Sequence, residues 1–171
     1  LAAALGGDCA VFDLTEGERL SLEFSGQGAG HRILAVNVPA GVSATLHEVY
    51  RAEDGAMANI AINIVLGEGA SLTRVIEQRA APGAALVVTT GISLAAEARC
   101  KQTTLGFGAK LARLETHVAH AGYGAHLTMN GAYVLGAGLH LDQTSLVRHS
   151  GPDGSTEELF KGASAKGGKS K

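Results

Sequence analysis

Apolar and polar side chains alternate one by one along much of the chain. Val42, Ala44 and Leu46 fall on one face of an extended segment, with Ser43, Thr45 and His47 on the other. Ala112, Leu114, Thr116 and Val118 oppose Arg113, Glu115 and His117, and Leu139 and Leu141 oppose His140 and Asp142. A period of two is the signature of a half-buried β-strand, and no convincing long helix competes with it. The turns between the runs share a chemistry. They read Pro39-Ala40-Gly41, Asp54-Gly55-Ala56, Gly67-Glu68-Gly69-Ala70 and Pro82-Gly83-Ala84, then Gly106-Phe107-Gly108-Ala109, Gly122-Tyr123-Gly124-Ala125 and Gly136-Ala137-Gly138.

The spacing of these turns predicts the architecture. Gly41, Gly55, Gly69 and Gly83 are each 14 residues apart, as are Gly124 and Gly138; Glu97 takes the next expected place and Gly108 falls slightly out of step. A near-constant interval marks a repeat fold. One strand plus one corner fills each interval, and two such units make one coil of a flattened solenoid that buries its inward side chains by stacking on its neighbours. The expectation is an all-β, right-handed parallel β-helix with corners at or next to Gly41, Gly55, Gly69, Gly83, Gly108, Gly124 and Gly138. The competing fold is an antiparallel jelly roll or sandwich, for which Asn130-Gly131 is a hairpin signal.

Composition sharpens this picture. The chain has 171 residues, 46% of them apolar, with 24 glycines, 4% aromatics and no Trp. A core made without large rings must be built from Val, Ile, Leu and Ala in thin layers. The organisation expected is lead-in strands over 1–30, a β-helix core over 31–162 and a disordered basic tail over 163–171. Lys161, Lys166, Lys169 and Lys171 crowd the end; they take four positive charges from a net of −2 and leave −6 on the rest. That balance gives no broad attraction to nucleic acid or membrane. No apolar run is long enough to span a bilayer, no signal peptide is visible, and Leu1 in place of Met suggests a missing start.

Chemistry is sparse. Seven histidines occur, His31, His47, His117, His120, His126, His140 and His149, five of them between 117 and 149. His117 and His120 are three apart, so a regular strand points them to opposite faces. His140 and Asp142 share a face and form the best metal-ligand candidate, but sharing a face is their only support, and structural or surface roles are expected. Cys9 and Cys100 are too far apart for a Cys-x-x-Cys site and read as free thiols of a reducing compartment. Cys100 lies between Arg99 and Lys101, cations that lower a thiol pKa, yet on a strand those neighbours face away, so a buried inert thiol is expected. A nucleophile elbow and a phosphate loop are both absent; Gly167-Gly168-Lys169-Ser170 only superficially resembles the latter. Asp142, Arg148 and His140 are conceivable members of a carbohydrate-active site, though no spacing singles them out.

The run Leu139-His140-Leu141-Asp142-Gln143-Thr144-Ser145-Leu146-Val147-Arg148-His149, followed by Ser150 to Gly162, resembles the late-core signature of SufD in the SufB/SufD family. The elements of that signature fall on His140, Asp142, His149, Thr156, Lys161 and Gly162. Arg32-Ile33-Leu34 and Ala44 to Tyr50 resemble the family's opening strands, and Ala58 to Leu66 its Asn-bearing strand, with Asn59 and Asn63. The resemblance covers about residues 10 to 163. It implies a right-handed parallel β-helix and a scaffold role in the cytoplasm beside a SufB-like paralogue and a SufC-like ATPase, with an iron–sulfur cluster formed transiently by the complex. It implies no catalytic residue, no stably bound cofactor and no assigned metal ligand in this chain. Gly154 stands where members often carry a Cys. The family's downstream Cys-x-His-Gly-type segment and ATPase-docking helical region have no counterpart before Lys171, so the chain reads as a core fragment whose last coil, Leu139 to Lys161, is expected to fray or to pair with another chain. The alternatives are a β-helical carbohydrate-active enzyme and a metal-binding β-barrel.

Overall fold

In the computed structural model, residues 9–171 are described. Thirteen strands follow one another: β1 (Cys9–Asp13), β2 (Arg19–Gly26), β3 (Ala29–Val38), β4 (Ser43–Ala52), β5 (Met57–Leu66), β6 (Ser71–Gln78), β7 (Ala85–Leu94), β8 (Arg99–Gly106), β9 (Leu111–His120), β10 (His126–Leu135), β11 (His140–His149), β12 (Ser155–Ser164) and β13 (Lys169–Ser170). Odd-numbered strands form a 7-stranded sheet and even-numbered strands a 6-stranded one. Every pairing between named strands is parallel. Ala29 pairs with Met57 and Met57 with Ala85, so these coils take 28 residues, two of the 14-residue intervals. The fold is a parallel β-solenoid, which rules out the jelly roll, the sandwich and the metal-binding barrel.

Alternation sets which side faces in. Ala44, Leu46 and Glu48 of β4 point inward, as do Ala112, Leu114, Thr116 and Val118 of β9. Stacked inward side chains from both sheets make one continuous core, and burying a Leu or Ile such as Leu46, Ile64 or Leu66 contributes ~1.5–3 kcal/mol each. The coils close through tight turns in which an amide donates to the carbonyl three residues back, as Ala56 does to Glu53 and Ala70 to Gly67. The third residue of these turns has a left-handed backbone at Gly41, Gly55 and Gly69, which glycine adopts at little steric cost. Glu97, which takes the next place in the interval after Gly83, occupies the same position in its turn with φ 56°.

Gly83 lies at its expected corner, although its φ is not left-handed; its N–H donates to Asp54 Oδ1 (2.7 Å), and any Cβ there would collide with that carboxylate. Other expectations need correction. Asn130-Gly131 is not a hairpin but the middle of β10, where the bare Gly131 makes room for the Phe160 ring. The segment 163–171 is not a disordered tail: β12 runs to Ser164, a turn follows, and the Lys169 amide donates to Leu139 O (2.8 Å) to begin β13 beside β11. At the other end β1 and β2 pair within the same two sheets, so the stack begins before residue 31, which falls inside β3.

Candidate functional site

The register lines inward residues up in rows, and these rows become more polar toward the last coil. Leu46 stacks on Arg74, then Gln102, Met129 and Glu158. Ile62 stacks on Thr90, Thr116 and Ser145, and Leu66 on Leu94, His120 and His149. A charged residue at an inward position must find partners. Arg74 is fully buried and donates from Nε (3.2 Å) and Nη2 (2.7 Å) to Glu48 Oε2, from Nη1 to Gln102 Oε1 (2.8 Å) and from Nη2 to Thr90 Oγ1 (2.9 Å). The Tyr50 hydroxyl donates to the same Glu48 oxygen (3.1 Å). Burial opposes the Arg74 cation, but the Glu48 carboxylate and Tyr50, with the hydrogen bond to Glu48, together leave the guanidinium pKa above its ordinary value. Burial, then the Glu48 charge, pushes the Tyr50 phenol well up. Beyond this network a cavity of about 20 Å³, bordered by Gln102, Thr116, Gln143 and Ser145, leads toward the last coil.

Cys100 lies among these side chains, inward on β8 and buried. Burial pushes its thiol up to about 11, with Arg74 pulling weakly the other way. At neutral pH it is protonated and screened from solvent, whereas Cys9 is exposed. Brief treatment of the native chain with iodoacetamide should therefore alkylate Cys9 alone, with Cys100 reacting only after denaturation. Mass spectrometry of the two peptides checks this, and equal labelling of both would contradict the sealed core.

His117 and His120 do point to opposite faces; His117 is exposed and His120 buried. His120 stacks on His149 of the next coil, with ring centroids 4.2 Å apart. Thr156 lies between their Nε2 atoms, at 3.2 and 3.3 Å. His126 contacts Ser155 Oγ (2.5 Å), His47 pairs with Glu77 (3.0 Å), and His31 is 3.4 Å from Asn59. Asp142 is buried at the surface of β11, accepting from Thr144 Oγ1 (2.9 Å) with Arg113 at 3.7 Å; His140 joins Ala109 through its backbone. Asn63 and Arg148 border a surface groove over Gly91 that includes His117. Lys161 is exposed on β12, and Gly162 leaves space for the Tyr133 ring. Among the described residues no three His, Cys, Asp or Glu side chains are grouped to hold a metal ion, and no helix is long and apolar enough to cross a membrane.

Sequence reading missed the Glu48–Arg74–Gln102 network and the His120–His149 pair. The first was signalled by charges on the apolar parity of their strands. The second was signalled by a separation of 29 residues, one coil, the register that also pairs His126 with Ser155.

The class so defined is a parallel β-solenoid whose largely aliphatic core holds a buried ion pair. Residues 23–171 match the family described as SUF system FeS cluster assembly, SufBD core domain. The match takes in nearly the whole solenoid, and the chain belongs to that family, which takes part in iron–sulfur cluster assembly by the SUF system. Neither the curated proteins nor the solved structures contain a match to it.

Proposed function

We propose that this chain is a non-enzymatic scaffold of the SufD kind, acting in the cytoplasm with a SufB-like paralogue and a SufC-like ATPase. The observation that carries the reading is the family match across residues 23–171, coextensive with almost all of the stacked coils. The interior supports it: charged groups on the inner faces are tied into the Glu48–Arg74 pair, and the one inward thiol is sealed. In this reading ATP hydrolysis belongs to the partner, and the cluster is cargo formed transiently by the complex. The test is co-expression with SufB-like and SufC-like proteins, affinity capture and ATPase assay. Capture of both partners, with hydrolysis only when the SufC-like protein is present, is the expected result. Hydrolysis of ATP or turnover of a polyuronide by the isolated chain, or failure to capture either partner, would overturn it.

A further inference from the structure

Where β9, β10, β11 and β12 meet, two imidazoles are held in a way that the scaffold reading does not require. His120 closes β9 and His149 closes β11, directly above it in register. Their rings are inclined by 29° and stacked at 4.2 Å. One hydroxyl, Thr156 Oγ1, contacts the Nε2 atoms of both. A hydroxyl carries one proton and two lone pairs, so Thr156 bridges the rings either as donor to one Nε2 and acceptor from the other or as acceptor from both.

The Nδ1 sides face a notch above Gly154. A Cβ on Gly154 would lie 2.9 Å from His120 Nδ1, 3.2 Å from His149 Nδ1 and 3.4 Å from the Ala125 carbonyl. His120 is fully buried and its Nδ1 makes no hydrogen bond. Protonating both rings would place two like charges face to face, one of them away from solvent. The surrounding groups offer little relief. His126 of β10 is a third imidazole nearby, Arg99 of β8 and Arg148 of β11 are cations on outward positions, and the carboxylates Glu97, Asp153 and Glu157 form no ion pair with either ring.

We propose that the His120–His149 stack is a proton-sensitive latch: neutral, it closes the last coil through Thr156; driven to double protonation, it releases the corner between β11 and β12. Burial first, then His149 and His126, hold the His120 pKa below the ordinary histidine value, with the Ala125 carbonyl acting in the opposite sense. The sign follows. The unfolded chain binds this proton at a higher pH than the folded one, so stability is complete above the ordinary histidine pKa and is lost as pH falls from there through the depressed value.

Hydrogen exchange on the full chain tests the latch. Between about pH 7.5 and about pH 5, after correction for intrinsic rates, amides of 149–160 should lose at least about tenfold in protection while those of 43–50 do not. His149→Phe keeps an aromatic face against His120 and removes the like charge, so the pH dependence at 149–160 should weaken, the remainder coming from the burial of His120. If that variant does not fold, the wild-type imidazole NMR titration decides: His120 should titrate below the ordinary histidine value, in step with the loss of protection. Unchanged protection at acid pH, an equal pH dependence in His149→Phe, or His120 titrating at the ordinary histidine value while the corner stays protected would each overturn the proposal.

Discussion

Arg74→Met is expected to destabilise the chain by ~3–5 kcal/mol, because it strands a buried carboxylate. Glu48 is fully buried, its Oε1 has no partner, and its Oε2 takes two of the Arg74 donors and the Tyr50 hydroxyl. Without the guanidinium only the Tyr50 hydrogen bond remains, and Gln102 Oε1 and Thr90 lose a donor as well. Desolvating both ions is itself costly, so the pair is a weak source of net stability, whereas breaking it is expensive. The double variant Glu48→Leu with Arg74→Met should therefore recover most of the loss. Urea unfolding of wild type, single and double variants gives the comparison, and a double variant as unstable as Arg74→Met would show that the cost is packing and not the stranded charge. The same substitution removes the influence that draws the Cys100 thiol downward, so that thiol should titrate higher still than about 11.

The fold was legible because two signals agreed. Alternation in runs such as Ala112 to Val118 fixed which side chains face inward, and the interval between turns fixed the coil length. Glu97 shows how strong the interval is, since the turn forces a left-handed backbone on a residue that disfavours it. What failed was reasoning from local chemistry alone. Asn-Gly favours a hairpin in isolation, but Gly131 is there because Phe160, a full coil away, needs its space. The basic tail is polar, yet its backbone amides meet the free edge of β11, and backbone pairing does not depend on which side chains the segment carries. The site was less legible because its members are separated by whole coils. His120 and His149, or Glu48 and Arg74, are distant in sequence and become neighbours only once the register is known. The rows also place polar side chains over aliphatic ones in the later strands, as where Gln143 stacks on Leu114 and Thr156 on Leu127.

Gly122→Ala should be the most damaging single-methyl change in the chain, at ~3 kcal/mol or more, because the methyl meets backbone and not a side chain that can turn aside. A Cβ on Gly122 would overlap the backbone of Ala95 and Ala96 in the corner beneath, and Gly151 presses on Gly122 from above in the same manner. The corners can accommodate it only by separating. That movement strains the Ala121 and Gly122 amides, which donate to Leu94 O (3.0 and 3.1 Å), and the Glu97 amide, which donates to Tyr123 O (2.8 Å). Two controls isolate the mechanism. Gly138→Ala enters open space with φ +74° and should cost ~1–2 kcal/mol for the left-handed backbone alone. Gly30→Ala meets nothing within 4 Å and needs no left-handed φ, so it should be nearly neutral. In a solenoid each coil is stabilised by its neighbours, so the damage should also be directional. Hydrogen exchange in Gly122→Ala should rise over 126–164, beyond the loosened corner, while 43–78 retains its protection. A loss no greater than that of Gly138→Ala, or one spread evenly over all coils, would mean that the corners are not held backbone against backbone and that the stack unfolds as one unit.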